Sequence, residues 1–417
     1  MQQRVQPALS KVEGPFLLTR VRKCPIIPPI APDSFGHLGL QQMLSFHIED
    51  TRVKELRQIA QALARKHQTA LSMDNEEMDY IRRNAHISTI GASTRIENAV
   101  LTDAEVGWLD TTLAEDARTT AYLDRRDLIQ EKFSRDKERS IDEVAGCRAM
   151  LYLISAQAGD MFPLSETIIR GLHNELLQYY APSEHYRGVY KTSPNSVIRR
   201  DHSTGEETPV LETSPPGPIT EIAMRDLVAW YNDTLPSHPW TIAVATEFVF
   251  RFLAMHPFQD GNGRLGRGLF LLSLLQSPDE SLREIAPYLP IDRHIERQRE
   301  DYYIALRRCS GGKFSADPAA YEYDHFLGFM LKAISRSLDD FEFYRKRYQA
   351  LQELPPTAVN VLNCFRERPE IRLQRRIVIE DTGLPRTTVT DALRILKDRR
   401  FIQRLGRGAG IRYQLIF

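Results

Sequence analysis

The chain has 417 residues, of which 55 are Lys or Arg and 55 are Asp or Glu. Hydrophobic residues make up 42% and charged residues 26%, a balance that excludes a disordered polymer, a collagen-like repeat and a coiled-coil rod. At about 150 residues per domain, the length predicts about three domains. The zero net charge hides an asymmetry, because residues 357–417 carry 13 basic and 6 acidic side chains.

The cysteines and the apolar runs both point to a cytoplasmic protein. The cysteines lie far apart without a CxxC pair, which excludes a disulfide framework and a zinc site and fits a reducing compartment. No apolar run approaches the roughly 18 residues of a membrane span, and the N-terminal run is too short for a signal-peptide core. We therefore expect a cytoplasmic protein without a membrane partner. The four cysteines are Cys24, Cys147, Cys309 and Cys364.

Proline, glycine and helix-forming residues divide the chain into four parts. Clustered prolines predict an extended segment over residues 1–34, followed by an N-terminal helical domain over 35–130. Helical patterning over 131–350 predicts the central domain, although its stretch 181–218 is rich in Pro and Gly and reads as irregular. The basic end forms a small domain over 355–417.

Two apolar helices in the central domain flank a short polar loop. Apolar residues spaced by three and four along 245–253 predict a buried helix. Pro257 disfavours helical geometry at His256 and ends that helix. A second apolar face begins at Leu265, so a new helix starts near Gly263. The loop between them therefore opens a helix N-terminus, where free backbone N–H groups favour an anion.

The side chains of this loop suit a nucleotide and a divalent cation. Asp260 supplies an oxygen ligand of the kind that Mg²⁺ prefers. Arg264 and Arg267 lie three residues apart and can face one polyphosphate. His256 is a candidate proton acceptor. The alternative is a buried histidine followed by a Gly-Asn-Gly turn between core helices, which explains neither the aspartate nor the arginines.

The loop and the start of the second helix resemble the signature of the Fic family, HxFx(D/E)GNGRxxR, at every specified position. The resemblance implies a mainly α fold, a Fic-type helical bundle with a small β-hairpin flap, and transfer of AMP from ATP to a protein hydroxyl. Relatives with other chemistry often carry a bulkier residue at the second glycine, which is intact here as Gly263. The matching residues are His256, Phe258, Asp260, Gly261, Asn262, Gly263, Arg264 and Arg267.

The same resemblance assigns roles to these residues. His256 would be the catalytic base, Asp260 would hold Mg²⁺ across the phosphates of ATP, and Phe258 would be a packing anchor. The residues implied in holding the phosphates of ATP are Gly261, Asn262, Gly263, Arg264 and Arg267.

The resemblance extends beyond the loop. Residues 165–173 are similar to the first core helix of the family, and residues 186–198 occupy the place of the flap hairpin that docks the target segment by strand addition. Residues 201–205 read as an insertion. In the helix that borders the adenine in relatives, Gln298 stands where the family usually has Asn, and Tyr302 follows. For Tyr303 the alternative is a tyrosine packed in the core. The flap positions expected to dock the target are Thr192, Ser193 and Val197.

A segment upstream resembles the inhibitory motif (S/T)xxxE(G/N) of autoinhibited Fic proteins. Ser93 and Glu97 lie four residues apart and share a helix face, with Asn98 following. The resemblance implies that the Glu97 carboxylate pairs with Arg267, the arginine expected to grip the γ-phosphate. The alternative is a solvated glutamate on an ordinary helix.

The basic end is similar to a winged helix-turn-helix. Apolar spacing predicts three helices in residues 359–397, and two alternating runs around residues 406–410 predict a hairpin. The third helix would be the recognition helix and the hairpin the wing, which suits DNA, although a protein-docking or dimerisation role fits the same pattern. The DNA-binding candidates are Arg386, Thr387, Thr388, Arg394 and Arg407.

These features together predict an autoinhibited protein adenylyltransferase. It would move AMP from ATP to a Ser, Thr or Tyr hydroxyl of a target protein and of itself, release pyrophosphate, require Mg²⁺ and form a homodimer. Two alternatives remain. One is removal of AMP from a modified protein, with Glu97 positioning a water. The other is a DNA-binding regulator whose Fic domain only senses ATP.

Overall fold

The computed structural model describes residues 44–114, 121–200 and 207–416. The predicted extended segment 1–34 and the predicted insertion 201–205 lie outside these ranges. In the described residues the chain is mainly helical, as expected. No helix among them is long and apolar enough to cross a bilayer.

The N-terminal half of the structure consists of helices. The inhibitory motif lies at the C-terminal end of α2 (Asn75–Ile96): Ser93 is in its last turn, Glu97 is the C-cap residue just after it, and Asn98 follows. The N-terminus of α2 is capped by the side chain of Asp74, which accepts from the Glu77 N–H. The first six helices are α1 (Asp50–Leu71), α2 (Asn75–Ile96), α3 (Asp103–Ala114), α4 (Ala121–Lys132), α5 (Glu138–Gln157) and α6 (Glu166–Leu177).

A two-stranded antiparallel hairpin separates these helices from the next group. Strand β1 pairs with β2 from Ser196 opposite Glu212 onward, with a register irregularity after Val197. The elements of this part are β1 (Ser196–Arg200), β2 (Glu207–Glu212), α7 (Pro218–Thr234), α8 (Thr241–Met255), α9 (Asn262–Leu275), α10 (Glu280–Ile285), α11 (Ile291–Arg297), α12 (Arg299–Ser310) and α13 (Asp324–Gln352).

The hairpin begins later in the chain than the flap assignment 186–198 expects. Residues 186–189 form turns and a bend that are tied to α6, because Arg170 Nε donates to the Gly188 carbonyl at 2.7 Å, and Tyr190 forms an isolated antiparallel β-bridge with Phe258. Thr192 and Ser193 are exposed and precede β1, whereas Val197 lies on the strand. Pro194 cannot donate a ladder hydrogen bond, and the regular pairing starts two residues after it.

One hydrophobic core extends from Leu44 on the N-terminal side to Tyr344 on α13. Its centre is α8, in which every residue except Arg251 is buried. The core is continuous across the predicted boundary between residues 130 and 131, and that division stays a prediction. The buried helix α8 therefore holds its C-terminal end, and the loop that follows, in a fixed position.

The C-terminal end has a core of its own, built around residues such as Val361, Val389 and Leu396. Three helices are followed by an antiparallel hairpin in which Ile402 lies opposite Leu415. Arg347 on α13 joins this unit to the main core by donating to the Arg400 carbonyl at 3.1 Å. The elements are α14 (Pro356–Glu367), α15 (Arg375–Thr382), α16 (Arg386–Asp398), β3 (Ile402–Leu405) and β4 (Arg412–Leu415).

Candidate active site

The C-terminal end of α8 places His256 at the mouth of a cleft. His256 adopts a left-handed backbone conformation with φ of 50°, and its N–H donates to the Phe252 carbonyl at 2.9 Å. A left-handed residue that caps a helix redirects the chain sharply. The loop 256–261, here called the motif loop, therefore leaves the buried helix abruptly and returns to start α9.

The ring of His256 is held in one tautomer. Its Nδ1 lies 2.9 Å from the carbonyl oxygen of Leu253, and because a carbonyl only accepts, Nδ1 carries the proton. The opposite nitrogen, Nε2, is then the free acceptor. Burial, together with the positive charge of Lys191, lowers the pKa of His256 to about 4. The imidazole is therefore neutral near pH 7, as a proton acceptor must be.

The motif loop is closed on itself by Asn262. The Asn262 Oδ1 accepts from the Phe258 N–H at 2.9 Å, and its Nδ2 donates to the Phe258 carbonyl at 2.7 Å. Gly261 precedes α9 with φ of 77°, a conformation that favours glycine. The first N–H groups of α9 have no acceptor within the helix, an arrangement that favours an anion.

Asp260 and Arg264 lie side by side at this terminus. The Asp260 carboxylate accepts from the Gly261 N–H at 2.6 Å and lies 3.4 Å from Arg264 Nη2, with about 40% of its side chain exposed. Arg264 is buried, yet its Nε and Nη1 have no hydrogen-bond acceptor among the described residues. Buried guanidinium groups are normally satisfied. The buried Glu143 carboxylate lies 3.9 Å from Nη1, so Arg264 lies between two carboxylates, Asp260 and Glu143, beside the N-terminus of α9.

Arg267, one turn further along α9, is held by α2. Its Nε donates to Ser93 Oγ at 2.9 Å and its Nη2 donates to the Ser93 carbonyl at 2.7 Å and to Glu97 Oε1 at 3.0 Å. The carboxylate of Asp292 lies 3.7 Å away. Burial lowers the pKa of Arg267, but the charges of Glu97 and Asp292 outweigh it and hold the pKa above its ordinary value.

The Glu97 carboxylate lies directly over Gly263. A Cβ atom added at Gly263 would collide with Glu97 Oε1 and crowd Arg267 Nη1. Asn98, the next residue, has φ of 76°, which explains why the motif takes Gly or Asn at this position. Glu97 therefore places a negative charge at the N-terminus of α9, where an anionic ligand would bind.

Ion pairs and hydrogen bonds to α11 and α12 hold the end of α2 in this position. Arg95 pairs with Glu296 through two contacts of 2.6 and 2.9 Å. Arg299 Nη2 donates to Asn98 Oδ1 at 3.0 Å. These contacts fix the residues on either side of Glu97.

The cleft brings together most of the residues that the sequence predicts. Glu97, Asp260 and Arg264 line it together with His256, and Arg267 borders it through Glu97. Gln298 and Tyr302 are not among its described lining residues. The Gln298 Oε1 is buried without a partner in the described part of the chain, and Tyr302 packs against Phe326 and Phe329. Their role at the adenine stays a prediction.

Sequence reasoning gave no role to several residues that shape the cleft. Asn195 and Ser196 line it from the start of β1. His173 on α6 donates from Nε2 to the Asp260 carbonyl at 2.9 Å and stacks on Phe258 with ring centroids 3.9 Å apart. Among these residues, the sequence could have identified only His173, because it lies in the segment similar to the first core helix of the family.

Comparison with known proteins identifies the family. The family model described as Fic/DOC matches residues 163–274, which include the motif loop. A Fido domain-containing protein from Dictyostelium discoideum is 32% identical over 102 residues, which are 21% of this chain and 68% of that protein. The chain belongs to the Fic/DOC family. Members of this family act on protein targets with a nucleotide substrate and generally transfer the nucleotide to the protein.

The likeness to a solved Fic/DOC structure extends over most of the chain. The crystal structure of a Fic family protein from Desulfovibrio desulfuricans matches with a TM-score of 0.50 and 21% identity, covering 89% of this chain and 98% of that chain. At this identity the likeness supports the fold alone. The Fic-like helical fold with its small two-stranded sheet is therefore confirmed.

Proposed function

We propose that this Fic/DOC protein is a protein adenylyltransferase that moves AMP from ATP to a hydroxyl group of a target protein and of itself. The observation that carries the proposal is the position of His256. Its neutral imidazole lines the same cleft as the N-terminus of α9 and the cationic Arg264, both of which favour an anion. A base and a polyphosphate site in one cleft suit nucleotidyl transfer.

In this mechanism His256 Nε2 accepts the proton of a target Ser, Thr or Tyr hydroxyl. The oxygen attacks the α-phosphorus of ATP in line, a new P–O bond forms, and the bond to the β-phosphate oxygen breaks so that pyrophosphate leaves. Because Nδ1–H is held by the Leu253 carbonyl, the ring keeps its orientation while Nε2 gains the proton. Positioning and charge stabilisation supply most of the catalysis in such reactions.

The phosphates would be held by the N-terminal N–H groups of α9 at Asn262 and Gly263 and by the guanidinium groups of Arg264 and Arg267. Gly261 supplies the backbone geometry, and the Asn262 side chain keeps the loop closed rather than binding the anion itself. Gln298, which lies between α11 and α12, and Tyr302 on α12 are proposed to border the adenine.

The donor set fits a magnesium ion that is shared with the nucleotide. Asp260 offers a carboxylate of which about 40% is exposed, and no cluster of three or more His, Cys, Asp or Glu side chains among the described residues forms a complete metal cage. Mg²⁺ is usually held in this way, by one or two carboxylates with substrate phosphates. When bound, it would neutralise phosphate charge; Asp260 would hold it.

The target segment is proposed to dock on the hairpin. Strand β1 pairs with β2, and Ile198 on β1 is 47% exposed. A strand edge beside the cleft can bind an extended peptide through backbone hydrogen bonds. Ser196 at the start of β1 lines the cleft, so a peptide added there would pass close to His256.

The end of α2 is proposed to inhibit the reaction. Glu97 contacts Arg267 at 3.0 Å and overlies Gly263, and it therefore competes with the terminal phosphate of ATP for the same guanidinium. A nucleotide could bind beside it, but with the α-phosphate turned away from in-line attack. Ser93 and Asn98 support this position through Arg267 and Arg299.

For the C-terminal unit we propose a winged helix that contacts DNA. Exposed basic side chains stand on α16 and at the hairpin, namely Arg386, Arg394 and Arg407, beside Thr387 and Thr388. Arg394 is 64% exposed and makes only a 3.5 Å contact with Asp391 among the described ion pairs. A homodimer is also proposed, as is common in the family.

The position of the label in ATP distinguishes this reaction from its alternatives. The Glu97→Gly variant is incubated with Mg²⁺ and ATP labelled at either the α- or the γ-phosphate. Incorporation of the α-label alone supports AMP transfer. Incorporation of the γ-label, or of neither label while ATP binds, contradicts it. Release of AMP from a modified protein by the wild type would instead support the removal reaction.

A further inference from the structure

A buried lysine lies behind the motif loop. Only 3% of Lys191 is exposed, and its Nζ donates to Asn195 Oδ1 at 2.8 Å, Thr213 Oγ1 at 3.0 Å and the Met255 carbonyl at 2.9 Å. Among the described residues no carboxylate pairs with it. Burial lowers its pKa to about 8. A buried charge without a counter-ion is costly, so its presence calls for an explanation.

The network around Lys191 holds the backbone of the motif loop from the side of the hairpin. The Lys191 N–H donates to the Pro257 carbonyl at 2.8 Å. Asn195 Nδ2 donates to the Phe258 carbonyl at 2.7 Å and reaches the His256 carbonyl at 3.3 Å. Lys191 therefore binds the carbonyl groups of Met255 and Pro257, and Asn195 binds those of His256 and Phe258. Together the two residues bind four consecutive carbonyl groups.

The ammonium form matches this network in its number of donors. An ammonium has three N–H donors, and three oxygen atoms surround Nζ. Thr213 Oγ1 accepts from Lys191 and its hydroxyl donates to Asn195, which ties β2 to the same group. A neutral amine has only two N–H donors and would give up one of these three hydrogen bonds.

We propose that Lys191 is a positioning residue, whose ammonium group fixes the backbone at Met255 and, through Asn195, at His256 and Phe258, so that the His256 ring faces the target hydroxyl. This inference rests on the proposed function of the cleft. Lys191 lies at the base of the hairpin, and it therefore also couples the docking strand to the base. Neither the family motif nor any other assigned role includes it.

The charge of Lys191 acts on His256 as well. The charged groups that affect the imidazole are Lys191, Glu97 and Asp260, and of these only Lys191 lowers its pKa. Lys191 therefore helps to keep the base neutral. Deprotonation of Lys191 above pH 8 would remove one hydrogen bond from the network, and the rate of AMP transfer would decline there.

The first test compares variants in the Glu97→Gly background by self-incorporation of α-labelled ATP. Lys191→Met should lower the rate constant at saturating ATP by about 10- to 100-fold, as expected for a lost charge-assisted hydrogen bond, with a nearly unchanged half-saturating ATP concentration. Lys191→Arg stays charged, so the decline in the rate of AMP transfer should begin at a higher pH. Asn232→Leu removes comparable backbone contacts at Leu164, far from the motif loop, and should leave the rate unchanged.

The second test needs no activity and separates this inference from the proposed function. The pKa of His256 is measured by NMR titration of its ring in the wild type and in Lys191→Met. The pKa should be higher in the variant, because a neighbouring positive charge is lost. An unchanged pKa of His256 in Lys191→Met would overturn the positioning role. So would an active Glu97→Gly protein in which Lys191→Met changes neither the rate of AMP transfer nor its decline above pH 8. An inactive parent with a raised His256 pKa in Lys191→Met would contradict only the proposed function.

Discussion

The two sides of the cleft are held in different ways. The motif loop is held from behind through its backbone, by Lys191, Asn195 and His173 binding carbonyl groups. The end of α2 is held through charged side chains, by Glu97 on Arg267 and Arg95 on Glu296. In the proposed function, the motif-loop side would therefore keep its backbone shape, whereas the α2 side would be displaced by an anion that competes with Glu97 for Arg267.

The burial of the two partners sharpens this difference. Arg267 is 3% exposed and Glu97 is 33% exposed. If Glu97 left, Arg267 would keep only the more distant Asp292 carboxylate at 3.7 Å, and a buried charge that loses a close partner is destabilised. A phosphate that replaced the Glu97 carboxylate would keep Arg267 paired, as the proposed reversible inhibition requires.

The largest effect is expected when the base is removed from the motif-loop side of the cleft. In the Glu97→Gly background, His256→Ala should lower AMP transfer by about 10²- to 10⁴-fold, the usual contribution of a general base. ATP affinity should stay nearly unchanged, because the imidazole meets the hydroxyl rather than the phosphates. Initial rates and ATP titrations check this. A variant with parental activity would show that His256 is not the base.

The next largest effect is expected when the charge of Glu97 is removed from the α2 side of the cleft. Glu97→Gly should raise the initial rate of self-modification by about 10- to 100-fold, the value of a charge-assisted hydrogen bond to a buried group. Glu97→Asp should relieve the inhibition only in part, since a carboxylate one methylene shorter reaches Arg267 less well. The rates of the two variants and the wild type should therefore follow the order Gly, Asp, Glu. A different order would argue against competition for Arg267.

A smaller effect is expected when the anchor of α2, the ion pair between Arg95 and Glu296, is broken without changing a residue of the cleft. Glu296→Gln removes the ion pair with Arg95 and should raise the wild-type rate up to about fivefold, since partly exposed pairs contribute 0.2–1 kcal/mol. Glu342→Gln, which breaks a similarly exposed pair with Lys66 between α1 and α13, is the control and should have no effect. Equal rates in both variants would mean that the anchor does not hold the inhibitory contact.

The smallest effect concerns the C-terminal unit. Removal of residues 355–417 should leave self-modification of the Glu97→Gly variant within about twofold, because none of the residues assigned to the cleft lies there. Any DNA binding should be lost, and in the full chain it should weaken with rising salt. Unfolding of the truncated chain would instead indicate a structural role, for which the contact between Arg347 and Arg400 gives a route.

Much of the site could be predicted because its chemistry is concentrated in one loop. His256, Asp260 and Arg264 fall within nine residues, and the pairing of Glu97 with Arg267 follows from a second short motif. Lys191 could not be predicted, since a lysine in a segment rich in proline and glycine gives no local sign of burial.

The fold was predictable to a similar degree and for a similar reason. The periodic apolar faces of α8 and α9 fixed their type and the loop between them. The start of the hairpin at Ser196 was missed, because Pro194 and the bonds of residues 186–190 to α6 are tertiary features. The charge excess of residues 357–417 indicated a separate basic unit but not its contact with α13.

The most direct test of competition between Glu97 and ATP measures binding and transfer on the same samples. ATP binding by calorimetry and incorporation of α-label with Mg²⁺ are compared for the wild type, Glu97→Gly and the double variant Glu97→Gly with His256→Ala. All three should bind ATP, and only Glu97→Gly should incorporate label strongly. Equal, low incorporation in the wild type and in Glu97→Gly, with ATP bound to both, would contradict the inhibitory role of Glu97.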